Sequence, residues 1–154
     1  MIEGLLRIPL LRLEDERGWF MELRRESLLP KPTVQTNVSF SRKGVIRGLH
    51  YHVRGQDDLF VCLAGTARVV VLERRTDETY TEDIGDRNPV GLYIPGTLAH
   101  GFEALTDLLF CYHVTAEYDP ADPDEHGIAW DDRRIRHLWS TDAPILSARD
   151  VAGS

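Results

Sequence analysis

The sequence is poor in cysteine, in long apolar runs and in helical periodicity. Its 154 residues include two cysteines, Cys62 and Cys111, each inside an apolar run. Both read as buried, reduced thiols. Without a CxxC pair, a cysteine-based zinc site is not indicated. The apolar runs "VCLA" and "VVVL" are short and separated by Gly65, far below membrane-spanning length. The first residues, "MIEGLLRIPLLRLEDERG", carry scattered charges and no small-residue cleavage site, so no signal peptide is expected. These readings predict a cytoplasmic protein without a membrane partner. A net charge of -7 disfavours nucleic acid as a partner, yet local arginines still allow a small phosphorylated ligand.

What is present is strand signal, within a length that suits a single domain over residues 1–154. Residues 5–13 are apolar but broken by Pro9, which suits an edge strand. "GWFMELRRESLL" reads as a strand followed by a short helical turn. "TVQTNVSFS" alternates with period two, with Val34, Thr36, Val38 and Phe40 on one face and Gln35, Asn37 and Ser39 on the other. The polar face is a candidate lining. "LFVCLAG" and "TARVVVLERR" predict a hairpin around Gly65, and "TYTEDI", "GLYIPG" and "LLFCYHVTAEY" predict further strands. "DPADPDEHGIAWDDRR" reads as an ordered loop, with residues 119–126 a solvated surface turn or, alternatively, a segment that closes over the site. Many short strands punctuated by Gly, Pro and Asp predict an all-β sandwich or barrel, with the jelly roll foremost.

The stretch "GVIRGLHYH" concentrates the chemistry. His50 and His52 fall on one strand face, and Asp57 or Asp58 follows, with His100 further on in "AHGF". Two histidines, a carboxylate and a distant histidine could hold a first-row metal on a small β-barrel. The same histidines could instead act as base and anion ligand. Arg47 has the wrong parity to share a strand face with His50 unless Gly48 bulges the strand. Near a histidine it suits a phosphate or an oxyanion; elsewhere it is a surface arginine.

"DERGWFME", "VQTNVSFSRKGVIRGLHYH", "LYIPGTLAHGF", "YHVTAEYDP", "GIAWDD" and "LSARD" occur in order from Asp15 to Asp150. In this set the chain resembles the dTDP-4-dehydrorhamnose 3,5-epimerase family. The resemblance implies a cupin jelly roll, a homodimer, and catalysis without metal or other cofactor. It implies a dTDP-4-keto-6-deoxy sugar as substrate, epimerised at C3, C5 or both, in deoxysugar or rhamnose biosynthesis. His50 then matches the base, Asp150 its orienting carboxylate, and Tyr112 the acid. From the residues alone, Tyr112 reads first as a half-buried core tyrosine, and only the motif match makes it the acid. Gln35, Asn37, Arg47 and His100 match positions around the nucleotide sugar. Arg17 and Glu22 match positions that reach a nucleotide, often in the neighbouring subunit.

The pattern breaks at one point. The family carries a lysine about ten residues after the base histidine, where this chain has Asp58 in "QDDLFV", and the usual "HYQ" is "HYH". A carboxylate repels an enolate oxygen. Three explanations stand. Arg47, His52 or His100 takes the oxyanion role. Or the reaction differs, as in another sugar-nucleotide isomerase on the same scaffold. Or His50, His52, Asp58 and His100 make a metal-dependent cupin.

Overall fold

The computed structural model describes residues 1–152. Its strands are β1 (Leu6–Pro9), β2 (Arg12–Asp15), β3 (Gly18–Met21), β4 (Gln35–Ser41), β5 (Ile46–Tyr51) and β6 (Asp58–Ala64). They continue as β7 (Thr66–Leu72), β8 (Thr79–Gly85), β9 (Val90–Ile94), β10 (Ala99–Ala104), β11 (Leu108–Val114) and β12 (His126–Gly127). A short helix, α1 (Ala148–Ala152), follows. Two antiparallel five-stranded sheets, ordered β1-β9-β6-β11-β4 and β12-β5-β10-β7-β8, face each other as a jelly-roll sandwich. The hairpin β2-β3 stands apart. Pro9 ends β1, which lies at a sheet edge where its missing N–H costs no ladder bond.

The continuous apolar runs have a simple cause: their strands are buried on both faces. Phe60 and Cys62 of β6 point between the sheets, whereas Leu59 and Val61 point outward beneath Ile8, Leu10, Leu23 and Leu29. On β7, Val69 and Val71 point inward, and Val70 and Leu72 meet Ile135, Trp139 and Trp130 of the C-terminal arm. This overturns the hairpin expected at Gly65. β6 and β7 lie in opposite sheets, each flanked by two other strands. A strand with two apolar faces must sit inside a sheet, so the chain crosses over at Gly65. There φ is +87°, and a Cβ would lie 2.4 Å from the Asp107 carbonyl oxygen.

Gly48 bulges β5 as its parity requires. His50 pairs with His100 but Arg47 pairs with Phe102, so three steps on β5 oppose two on β10. Gly48 has φ +123°, and a Cβ there would lie 2.8 Å from the Gly101 Cα. The C-terminal arm is pinned to the second sheet: the Trp139 indole donates to the Trp130 carbonyl (2.8 Å), and buried Glu103 accepts the Ser140 N–H (2.7 Å). That arm carries α1 to the cavity mouth. Cys62 and Cys111 are buried free thiols.

Candidate active site

A cavity of about 860 Å³ lies between the sheets, within the range of small-molecule sites. β4, β6 and β11 form one wall, and β5 and β10 form the other. On β4 the usual polarity is inverted. Gln35, Asn37 and Ser39 face inward, while Val38 and Phe40, and Val34 just before the strand, are more than half exposed. Gln35 donates to Asn37 Oδ1 (3.0 Å) and accepts the Tyr118 N–H (2.9 Å), so both amides are held in the lining.

The Gly48 bulge turns both Arg47 and His50 into this cavity. Arg47 donates to Ser41 Oγ (2.9 Å) and the Phe40 carbonyl (3.1 Å), which fixes a guanidinium that is still exposed. His50 Nε2 lies 2.8 Å from Asp150 Oδ1, and Asp150 Oδ2 accepts the Gly48 N–H at 3.3 Å. With Nε2–H given to Asp150, Nδ1 carries the lone pair toward the cavity. Asp150 is placed by a capping arrangement: Ser147 Oγ accepts its N–H (3.1 Å) at the start of α1. Burial pushes the Asp150 carboxyl up, but His50, the Gly48 N–H and Arg149 together outweigh it and the net shift is downward. Tyr112 projects from the opposite wall, its ring edge-on to Phe60. Burial raises its pKa above the usual phenol value, keeping it protonated at neutral pH.

A second cluster lies deeper. His52, Asp58 and His100 are each no more than 5% exposed. Asp58 Oδ2 is 3.3 Å from His100 Nε2, and Oδ1 is 3.8 Å from His52 Nε2. The Nδ1 atoms of His52 and His100 bond the carbonyls of Asp124 (2.5 Å) and Leu98 (2.8 Å). Gln56 Nε2 stands 3.0 Å from Asp58 Oδ1 and 3.3 Å from His52 Nε2. Burial and the neighbouring His100 push His52 down. Burial also pushes His100 down, but Asp58 more than reverses this. The cluster attracts positive charge. Asp57 is not part of it; its carboxylate accepts the Tyr93 hydroxyl (2.5 Å) and the Gly96 N–H (2.9 Å). His50 is not part of it either, because its nitrogens face Asp150 and Glu125. The four-residue metal set expected as an alternative is therefore corrected to three.

Arg17 and Glu22 line no part of the cavity within one chain. Arg17 lies in the β2–β3 turn, ion-paired to Asp15 (2.5 Å), and Glu22 pairs with Arg25 (2.7 Å). In the loop at residues 119–126, positions 119–123 are exposed as a solvated turn would be, while Asp124 and Glu125 are half-buried in the cavity wall. Asp124 accepts the N–H groups of Val53 (3.0 Å) and Arg54 (2.7 Å), which pin it down. Glu125, held by Arg149 (2.7 Å), comes within 3.5 Å of His50 Nδ1. Sequence reasoning missed Glu125, Arg149 and Gln56. The "SxxD" cap in "LSARD" was the one local signal near them.

The model of the family described as dTDP-4-dehydrorhamnose 3,5-epimerase matches residues 1–154. The chain belongs to this family. The chain is 40% identical to the spore coat polysaccharide biosynthesis protein SpsL of Bacillus subtilis over 151 residues, covering 92% of this chain and 99% of that one. Its structure is similar to that of the 3,5-epimerase RmlC of Legionella pneumophila, solved in complex with dTDP-4-keto-L-rhamnose. The TM-score is 0.88 at 31% identity, covering 99% and 87% of the two chains. It is as similar to ChmJ, a 3'-monoepimerase of Streptomyces bikiniensis solved with dTDP-quinovose, with a TM-score of 0.88 at 27% identity and coverage of 99% and 83%. The cupin-like epimerase fold is thus shared with members named for both one-carbon and two-carbon epimerisation.

Proposed function

We propose that this chain is an isomerase that epimerises a dTDP-4-keto-6-deoxy sugar at C3, C5 or both, in deoxysugar biosynthesis. One observation carries the reading: the His50–Asp150 pair on one wall faces a protonated Tyr112 on the other across a cavity fit for a sugar. Hydrogens on C3 and C5 are acidic because the carbanion delocalises onto the C4 ketone. His50 Nδ1 takes one, Asp150 stabilises the imidazolium, and Tyr112 returns a proton from the opposite face. Glu125 adds negative charge beside that imidazolium. Gln35, Asn37 and Arg47 bind the nucleotide diphosphate and sugar, with Arg47 offering a planar donor fork to phosphate. His100 contributes beside the ketone, with Asp58 and His52.

The protein acts as a homodimer in the cytoplasm. Val34, Val38, Phe40 and Leu109 expose a contiguous apolar face along the β4 edge, and Trp19 and Phe20 are exposed on the β2–β3 hairpin. A paired surface removes this liability. It also gives Arg17 and Glu22, idle within their own chain, a partner's cavity to reach. Among the described residues no helix is long and apolar enough to cross a membrane.

The deciding experiment is incubation with the dTDP-4-keto-6-deoxy sugar in heavy water, followed by NMR. Deuterium at C3, C5 or both identifies the carbons. Bound substrate with no exchange at either carbon sinks the proposal. Phe40→Asp should convert the dimer to monomer in light scattering; an unchanged mass would place the interface elsewhere.

A further inference from the structure

We infer that His52, Asp58 and His100 bind one divalent transition-metal ion, and that this ion meets the substrate's ketone oxygen where the family pattern has a lysine. The ion's role rests on the proton-abstraction reading above. The site itself stands on geometry.

The candidate ligand atoms lie within 4.8 Å of one another, and the carboxylate stands 3.3 and 3.8 Å from the two Nε2 atoms. Neighbouring ligands of a first-row ion with bonds near 2.1 Å sit roughly 3–3.5 Å apart, so small side-chain rotations complete the site. Both rings are fixed by the same device. Each Nδ1–H is given to a backbone carbonyl, of Asp124 for His52 and of Leu98 for His100, which leaves both Nε2 atoms turned to the carboxylate, where an ion would take the place of a proton. A backbone acceptor on the far ring nitrogen is how proteins orient metal-bound histidines. Two imidazoles and a carboxylate, with remaining positions open to the cavity, suit zinc, iron, manganese or nickel.

Charge explains why an aspartate can occupy this position. One carboxylate and a dication sum to a single positive charge, the charge of the family's lysine. Gln56 answers the Asp58 and His52 atoms only by donating one amide nitrogen to both. A proton on His100 answers a single contact, whereas a cation answers all three ligands. When His50 takes the C–H proton, that bond's electron pair moves toward the ketone and the oxygen becomes an enolate oxygen facing the ion. Protonation at carbon from Tyr112 returns the pair to carbon on the opposite face. His50 then releases its proton to water and Tyr112 regains one, with the metal's oxidation state unchanged.

The test uses tag-free protein dialysed against a chelator, titrated calorimetrically with zinc chloride and, separately, with cobalt chloride while visible absorption is followed. One ion per chain and the appearance of cobalt d–d bands are expected. Asp58→Asn and His52→Gln should each weaken binding about 100-fold or more, beyond what loss of outer-shell partners costs. His50→Asn should leave binding unchanged. Exchange in heavy water should fall on chelation and return with added ion. Absence of stoichiometric binding, or binding indifferent to both ligand substitutions, overturns the site. Full exchange in protein that elemental analysis shows to be metal-free overturns the ion's role. Tight binding with no exchange from the loaded protein supports the site and sinks the epimerase reading alone.

Discussion

One cavity holds two histidine–aspartate groupings made of the same residue types, and they differ in where the second ring nitrogen points. His50 gives Nε2–H to Asp150 and keeps Nδ1 unbonded to backbone, at the mouth, with its side chain 23% exposed. His52 and His100 give Nδ1–H to carbonyls and aim Nε2 at Asp58, with side chains 5% and 3% exposed. The first arrangement leaves a base free to meet a substrate. The second builds a rigid pair of donors around a buried anion. In the proposed mechanism, tautomer and depth, rather than composition, divide proton transfer from charge stabilisation.

Substitutions should widen or collapse this division. His50→Asn is expected to lower exchange in heavy water about 10²–10⁴-fold while dTDP affinity stays within a few-fold; exchange near the wild-type rate would remove His50 from the base role. Asp58→Ala should cost about 3 kcal/mol in urea unfolding, because buried His100 loses its anion. Asp150→Ala should cost only about 1 kcal/mol, because His50, 23% exposed, can turn to water. Equal costs would erase the difference in depth. Tyr112→Phe should cut net inversion about 10²-fold while His50-driven wash-in of deuterium persists. If both fall together, Tyr112 acts before the carbanion forms.

The smallest effect is a pH effect. Asp150 has a folded pKa below its unfolded value. Its contribution to stability is therefore present above the ordinary carboxylate pKa of about 3.9 and is lost as pH falls through the lowered folded value. Unfolding midpoints of the wild type and Asp150→Asn should differ at pH 6 and converge as the solution is acidified. Parallel curves down to the lowest accessible pH would detach this carboxylate from His50.

The strands were legible because period two and Gly/Pro punctuation are local signals. The inward polar face of β4 was visible in "QTNVS", and the Gly48 bulge in the parity clash between Arg47 and His50. The Gly65 crossover was not. Two apolar runs around a glycine fit a hairpin equally well, and only the arms packed outside Leu59 and Val70 show that each run needs cover on both faces. The His50–Asp150 contact spans 100 residues and was reachable only through family resemblance. Glu125 and Arg149 stayed hidden because an acidic, proline-rich loop looks the same whether it is solvated or pinned by the backbone amides of Val53 and Arg54. Asp58 was visible as an anomaly, but its geometry with His52 and His100 needed two sheets and a loop to assemble.

β4 turns its polar side chains into the cavity and its apolar ones to the surface proposed to meet a partner, with Asn37 locked opposite Tyr112 in the ladder. A slip of one residue would exchange the two faces. Val38 and Phe40 would then line the cavity, and Gln35 and Asn37 would face the partner. A single-residue deletion before Gln35 is thus expected to be a sharper lesion than any substitution in the strand, because it would exchange the cavity lining and the outer face in one stroke.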